Sequence, residues 1–240
     1  MRHSGATALF HTKNGKFYLY FLTNIPYNKN VKNQPNIMEK LTLEGTSFAG
    51  KTTLSKELEK HNPNRYKMIE EYVAYAKGAE NFPSYPPKNK EEALRNFEFF
   101  LNLERQRHVD IKKHEDKPYV MVMDRSIISL LGFEYAQKYL AGLDVFCEVK
   151  DMLEKEPDLA PDFIIYLHAN DLNIKKRLQE SQRKVGDLFV DPNFNQQIRN
   201  FFDWLAEQGK YPIVTIDTNK DFNQVKQELI QVADSLKIKG

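Results

Sequence analysis

The chain has little that could cross-link it or place it in a bilayer. One cysteine, Cys147, in 240 residues allows no internal disulfide, which fits a reducing cytoplasm. Set among Val145, Phe146 and Val149, it reads as a small buried hydrophobe rather than a reactive thiol. No apolar run approaches the roughly 18 residues that a membrane span needs. Phe17–Leu22 is too short for a signal-peptide core and no small-residue cleavage site follows it. Charge of one sign is also scarce in excess: 35 Lys and Arg stand against 33 Asp and Glu. That balance gives no bulk case for a nucleic-acid or anionic-membrane surface. Lys29 and Lys32 are too few and too scattered to form a binding stripe.

What remains is ordinary for a water-soluble α/β domain: 41% apolar and 28% charged residues, in a length that suits one buried core better than two. Residues 1–37 differ from the rest. Ala8–Thr12 and Phe17–Phe21 flank Lys13-Asn14-Gly15-Lys16, the pattern of a hairpin turning at Asn-Gly. Asn28–Pro35 is polar and reads as a linker, so 1–37 forms an extension and 38–240 the working domain. From Met38 short apolar runs alternate with amphipathic helices. Strands are expected at Lys40–Glu44, Tyr66–Ile69, Tyr119–Met123, Phe163–Leu167 and Ile213–Ile216. The third should be buried on both sides, since its apolar run is unbroken. Helices are expected at Thr52–His61, Glu91–His114, Ser126–Leu140, Val145–Lys155, Leu172–Ser181, Phe194–Gln208 and Phe222–Leu236. Ala74–Lys90, with Pro83, Pro86 and Pro87, reads as a long loop. The order implies an α/β fold, a parallel sheet with helices on both faces.

Gly45-Thr46-Ser47-Phe48-Ala49-Gly50-Lys51-Thr52 satisfies G-x-x-x-x-G-K-[ST] at every fixed position,. Glycines let backbone N–H groups close around phosphate oxygens, and the next helix aims its positive end at them. Lys51 is expected to reach the β- and γ-phosphates and the Thr52 hydroxyl to bind Mg²⁺; Thr53 completes the nucleotide-binding set. A match by accident arises in about one chain in a hundred of this length, and here it lies between an expected strand and an expected helix. An ATP-dependent phosphoryl transferase using Mg²⁺ follows.

Asp124-Arg125-Ser126 ends the buried third strand, where open α/β sheets place their ligand crevice. Asp124 is a candidate metal holder beside Thr52, and Arg125 a cation for the transferring phosphoryl. The competing reading is an Asp that caps the next helix, with Arg125 in a surface pair. Glu70-Glu71 end the second strand and offer a general base for an acceptor hydroxyl, or a solvated acidic turn. Lys175-Lys176-Arg177 and Arg183-Lys184 precede Gly186. On a mobile flap near 177–192, Arg177 and Arg183 would stabilise transferred charge and exclude water; on a plain helix face they would be solvated.

In order and spacing these segments resemble the thymidylate kinase and deoxynucleoside kinase superfamily from about Met38 to Leu236. Pro161–Leu167 and the Arg-rich stretch after it belong to the match. The resemblance implies a five-stranded parallel sheet, a nucleoside or nucleoside monophosphate as acceptor, and a homodimer. It implies that Arg105, within Leu103–Val109, contacts the acceptor, and that Ser129–Glu134 follows the segment holding the acceptor base. Glu70, Tyr72 and Phe97 fall in the acceptor region, as do Tyr75, Phe82, Tyr85 and Phe100, aromatics on which a base stacks. Thymidylate kinases usually carry Asp where Ser47 stands, and Arg-Glu-Pro where this chain reads Glu70-Glu71-Tyr72. A glutamate beside a phosphate dianion is repulsive. Glu71 instead matches the deoxynucleoside kinase glutamate that takes a proton from a sugar hydroxyl, so a hydroxyl acceptor is favoured. The arginines at 177 and 183 do not reproduce the family's usual spacing. Two alternatives stay open: a kinase of the same build acting on a non-nucleoside alcohol or antibiotic, and a switch ATPase with a conformational output.

Overall fold

The computed structural model describes residues 8–13, 16–21, 39–181 and 186–236. Strands β1 (Ala8–Lys13) and β2 (Lys16–Phe21) pair antiparallel, with Ala8 opposite Phe21 and Lys13 opposite Lys16. The linker read at Asn28–Pro35 lies outside the described residues.

The main sheet is built from β3 (Glu39–Glu44), β4 (Tyr66–Ile69), β5 (Val120–Asp124), β6 (Phe163–His168) and β7 (Ile213–Asp217). Its order is β4-β5-β3-β6-β7 and every neighbouring pair is parallel. All five residues of β5 are buried, as its apolar run demands,. Side chains alternate between the two faces with a period of two. Leu41, Leu43, Val120, Val122, Ile165 and Leu167 share a core with Leu54 and Leu58 of α1 (Lys51–His61) and Val225 and Leu229 of α8 (Phe222–Ser235). The alternate residues Ile164 and Tyr166 join the opposite core. That core includes α3 (Lys90–Lys112), α4 (Ile127–Leu140), α5 (Phe146–Glu154) and α7 (Pro192–Gln208). The same alternation turns Thr42 and Glu44 toward α4, where both are fully buried. α4 and α7 approach closely at Gly132, where a methyl group would come within 2.7 Å of the Phe201 ring.

Helix starts follow local chemistry. Ser126, Asn89, Asp191 and Asp221 each accept a hydrogen bond from a first-turn N–H,. Pro192 occupies the first turn of α7, where its missing N–H costs nothing,. α6 (Asp171–Ser181) runs from the end of β6. The expected long loop is interrupted by a single helical turn, α2 (Tyr72–Tyr75), and a 3₁₀ turn at Ala79–Asn81. Cys147 departs from its reading: it is exposed, because α5 turns Val149 and Leu153 inward and leaves 147 on the opposite side. No helix among the described residues is long and apolar enough to cross a membrane.

Candidate active site

β3 lies between β5 and β6, so the connections from its two neighbours diverge there and open a crevice at the strand ends,. The loop 45–50 leaves β3 at that point. Gly45 has φ 141°, and a side-chain carbon there would meet the Leu167 carbonyl oxygen at 2.6 Å. Only glycine permits both. Gly50, at φ 99°, starts α1, which has no side-chain cap and no acidic residue in its first turn. Its positive end is therefore left free for an anion. Ala49 and Thr46 are buried, Ser47 and Phe48 line the loop half-buried, and Thr53 is exposed.

Lys51 is 5% exposed and folds back across the loop, donating to the carbonyls of Gly45 (3.0 Å) and Thr46 (2.7 Å). Burial lowers its pKa to about 8, with Arg125 adding to the effect. The Thr52 hydroxyl donates to Asp124 Oδ2 at 2.5 Å, while the buried Asp124 Oδ1 has no partner. Burial pushes the Asp124 carboxyl up, and the neighbouring Glu71 charge adds to it. Arg125 adopts φ 65°, a left-handed conformation that costs about 1–3 kcal/mol for such a residue,. Its guanidinium donates from Nε to Glu71 Oε1 (2.5 Å) and from Nη1 to the Gly45 carbonyl (3.1 Å). For Glu71, burial works upward, but Arg125 and Lys51 outweigh it and hold the carboxyl below its usual range. Thus Lys51, Thr52, Glu71, Asp124 and Arg125, drawn from three strand ends, form one cluster.

Two tiers brace that cluster. Glu44, directly before the loop, accepts from Thr42 (3.0 Å), Ser126 (2.7 Å) and Ser129. Burial raises its pKa, and the three hydroxyls oppose the rise. Arg107, fully buried on α3, donates to the carbonyls of Glu70 (3.0 Å), Asp124 (3.1 Å) and Arg125 (2.9 Å). It pairs with Glu104 at 2.6 Å and lies 4.6 Å from the Tyr72 ring centre. Neither Glu44 nor Arg107 was among the expected site residues. The signal was present for both. Glu44 is a carboxylate on the core phase of β3. Glu104 and Arg107 fall three apart on the apolar stripe of α3, where an unpaired charge would be costly.

Several expected residues lie elsewhere. Arg105, two positions from Arg107, is turned away from it and binds Glu98 (2.7 Å) and Glu156 (2.6 Å) at the surface. Residues two apart on a helix do not share a face, so the structure does not bring Arg105 to the cluster. Glu70 is exposed and opens onto a surface cleft of about 470 Å³ with Lys56, Lys67 and His114. Strand-end alternation sends it away from Glu71. Phe97 is 2% exposed, a core residue. Tyr72 is 4% exposed and packs edge-on against Phe100, which in turn meets Phe82. Tyr75 packs beside this group, and Tyr85 instead meets Phe133 at 4.6 Å. Arg177 holds the Phe48 carbonyl (2.9 Å) and Thr218. Arg183 lies outside the described residues.

A phosphate-binding loop at the switch point of a parallel sheet, with Asp124 and Arg125 ending the adjacent strand, defines a P-loop kinase. A deoxynucleoside kinase family model matches residues 41–238, and the chain belongs to that family. It is therefore an ATP-dependent kinase of nucleosides or nucleotides. A thymidylate kinase of Mycoplasma capricolum subsp. capricolum is 26% identical over 207 residues, spanning 80% of this chain and 92% of its own. Deoxyadenosine kinase from M. mycoides with bound dATP superposes with a TM-score of 0.63 at 18% identity, over 82% of this chain and all of the other. The same kinase with bound dCTP gives 0.59, also at 18% identity and the same coverage. These structures share the five-stranded parallel α/β fold. Neither the antibiotic-kinase nor the switch-ATPase alternative is favoured by this membership.

Proposed function

We propose that the chain transfers the γ-phosphoryl group of ATP to the sugar hydroxyl of a nucleoside, with Glu71 as general base. The observation that carries this reading is the position of Glu71. It is a carboxylate held ionised by Arg125 and Lys51, in the crevice where the phosphate loop ends. An ionised phosphate needs no base, whereas a hydroxyl does. The relatives divide on the point: one is a thymidylate kinase, the other a deoxyadenosine kinase solved with dATP and dCTP.

In this reading the loop amides and Lys51 cradle the phosphates, and Arg125 neutralises charge on the transferring group. Glu71 takes the hydroxyl proton as the oxygen attacks. Thr52 and Asp124 are hard oxygen donors, and the orphaned Asp124 Oδ1 fits a Mg²⁺ bound directly or through water,. No cluster of three His, Cys, Asp or Glu occurs among the described residues, so phosphate oxygens would complete the shell. Mg²⁺ there would supply charge neutralisation at the β- and γ-phosphates. Tyr72, with the aromatic group around Phe82 and Phe100, would border the acceptor. The segment near 177–192 acts as the lid, its Arg177 already tied to the phosphate loop, and 38–240 is the catalytic unit with 1–37 as an extension. A homodimer in the cytoplasm, with no nucleic-acid or membrane partner, completes the reading.

The test is ATP-to-ADP turnover with Mg²⁺ against nucleosides, nucleoside monophosphates and common alcohol metabolites. Stimulation by nucleosides, falling about 10²–10⁴-fold in Glu71→Gln, is the expected result. Stimulation by monophosphates alone would remove Glu71 from its role.

A further inference from the structure

The main sheet ends in two edge strands, β4 and β7, and they are finished differently. β4 is short and carries Lys67. The Arg65 carbonyl accepts from Val120 of β5, so by the period of two Tyr66 and Met68 turn their backbone groups outward,. Both outward N–H groups are met from within the domain: Tyr66 by the Asn62 carbonyl (2.9 Å) and Met68 by Glu59 Oε1 (3.3 Å). On β7 the Pro212 carbonyl accepts from Ile164, and the Thr218 N–H donates to His168, so Ile213, Thr215 and Asp217 turn outward. Ile213 and Thr215 are uncharged, and among the described residues neither N–H meets a loop or side-chain acceptor as those of β4 do. A bare edge of this kind is a template for a further strand.

Beside that edge lies β1, with Cα atoms within 8 Å of β7, while β1 and β2 keep a sheet of their own. In the register of the hairpin Ala8, Phe10, Thr12, Phe17, Leu19 and Phe21 fall in one phase, and Lys13 and Lys16 in the other. A lone two-stranded hairpin is at best marginally stable in water and needs a surface to pack on. The hairpin precedes the family match, which begins at residue 41, so it is something this chain adds to the shared fold. Residues 22–38 can span at most about 55 Å, against roughly 10 Å from β3 to β7 across β6. The hairpin can therefore reach β7 of its own chain. We propose that β1–β2 docks along the outer edge of β7 within the same molecule and keeps that edge from pairing with a strand of a second copy. The two edges are then both closed, β4 by Asn62 and Glu59 and β7 by the extension.

The experiment places Phe10→Cys and Thr215→Cys in the full chain together with Cys147→Ser, and treats the protein with a short bismaleimide. A cross-link within one chain, running at monomer mass under denaturing conditions, is the expected result. A cross-link between two chains gives the edge to a second copy's hairpin, and no cross-link leaves β7 bare; either overturns the proposal. A second variant needs no label. In Phe10→Pro with His11→Pro, one of the two neighbouring N–H groups must face β2, so the ladder breaks. Amide exchange at Ile213 and Thr215 should then rise about tenfold or more, and the protein should associate further as its concentration rises, with KM for ATP unchanged. Exchange equal to that of the wild type overturns the proposal. The kinase reading stands or falls separately, on turnover.

Discussion

The two ends of the crevice are built on opposite terms. At the phosphate end every charged side chain is tied: Lys51 to loop carbonyls, Thr52 to Asp124, Arg125 to Glu71 and Gly45, Glu44 to three hydroxyls. At the aromatic end, rings of Tyr72, Phe82, Tyr85, Phe100 and Phe133 meet edge-on, and the hydroxyls of Tyr72 and Tyr85 are left without partners. A site that handles phosphate can be prefabricated, because the charge it meets is always the same. The aromatic end is held by ring packing instead, and at the phosphate end Asp124 Oδ1 alone among these carboxylate oxygens is left buried and open, where a cation would bind.

The largest effect that would test this contrast is at Asp124. Asp124→Asn should lower kcat/KM by about 10²–10³-fold while leaving the thermal midpoint at pH 8, without nucleotide or Mg²⁺, equal to the wild type or higher. The sign follows from the raised pKa. An ionised Asp124 is less favourable folded than unfolded, so its ionisation lowers stability as pH rises, and asparagine removes that loss,. A large fall in midpoint would mean that the carboxylate holds the fold, not the ligand.

Arg107 spans both ends, bonded to two strand-end carbonyls next to the cluster and lying against Tyr72. Arg107→Met strands a buried Glu104 and should cost about 3–5 kcal/mol, read as a midpoint lower by roughly 10 °C. Next in size is the pH dependence of nucleotide capture. Lys51 loses its proton near pH 8 in the free enzyme, so kcat/KM for ATP should fall about tenfold per pH unit above that, while kcat holds better because bound phosphate retains the proton,. A flat profile to pH 9.5 would place the attraction in the loop amides instead. The smallest effect is expected at Arg105. Arg105→Ala should change stability by no more than about 1 kcal/mol and leave KM for the acceptor unaltered; a tenfold rise in that KM would return Arg105 to the acceptor site.

The same contrast explains what could be read from the sequence. The five strands, the helices and the loop 45–52 were legible because periodicity and fixed glycine positions are local properties. Asp124 and Glu71 were placed by one topological rule about strand ends. The acceptor wall depends on helical phase and on which loop crosses which helix. There the sequence points to Arg105 rather than Arg107, and to Glu70 alongside Glu71, although Arg107 and Glu71 are the two that meet the cluster. Cys147 failed for a related reason: apolar neighbours in sequence do not fix the side of a short helix.

Glu44 joins the last residue of β3 to the first turn of α4, through Ser126 and Ser129, one residue before the phosphate loop begins. Mechanically, the loop and the base of α4 are then a single part, a fixed jaw with no hinge between them.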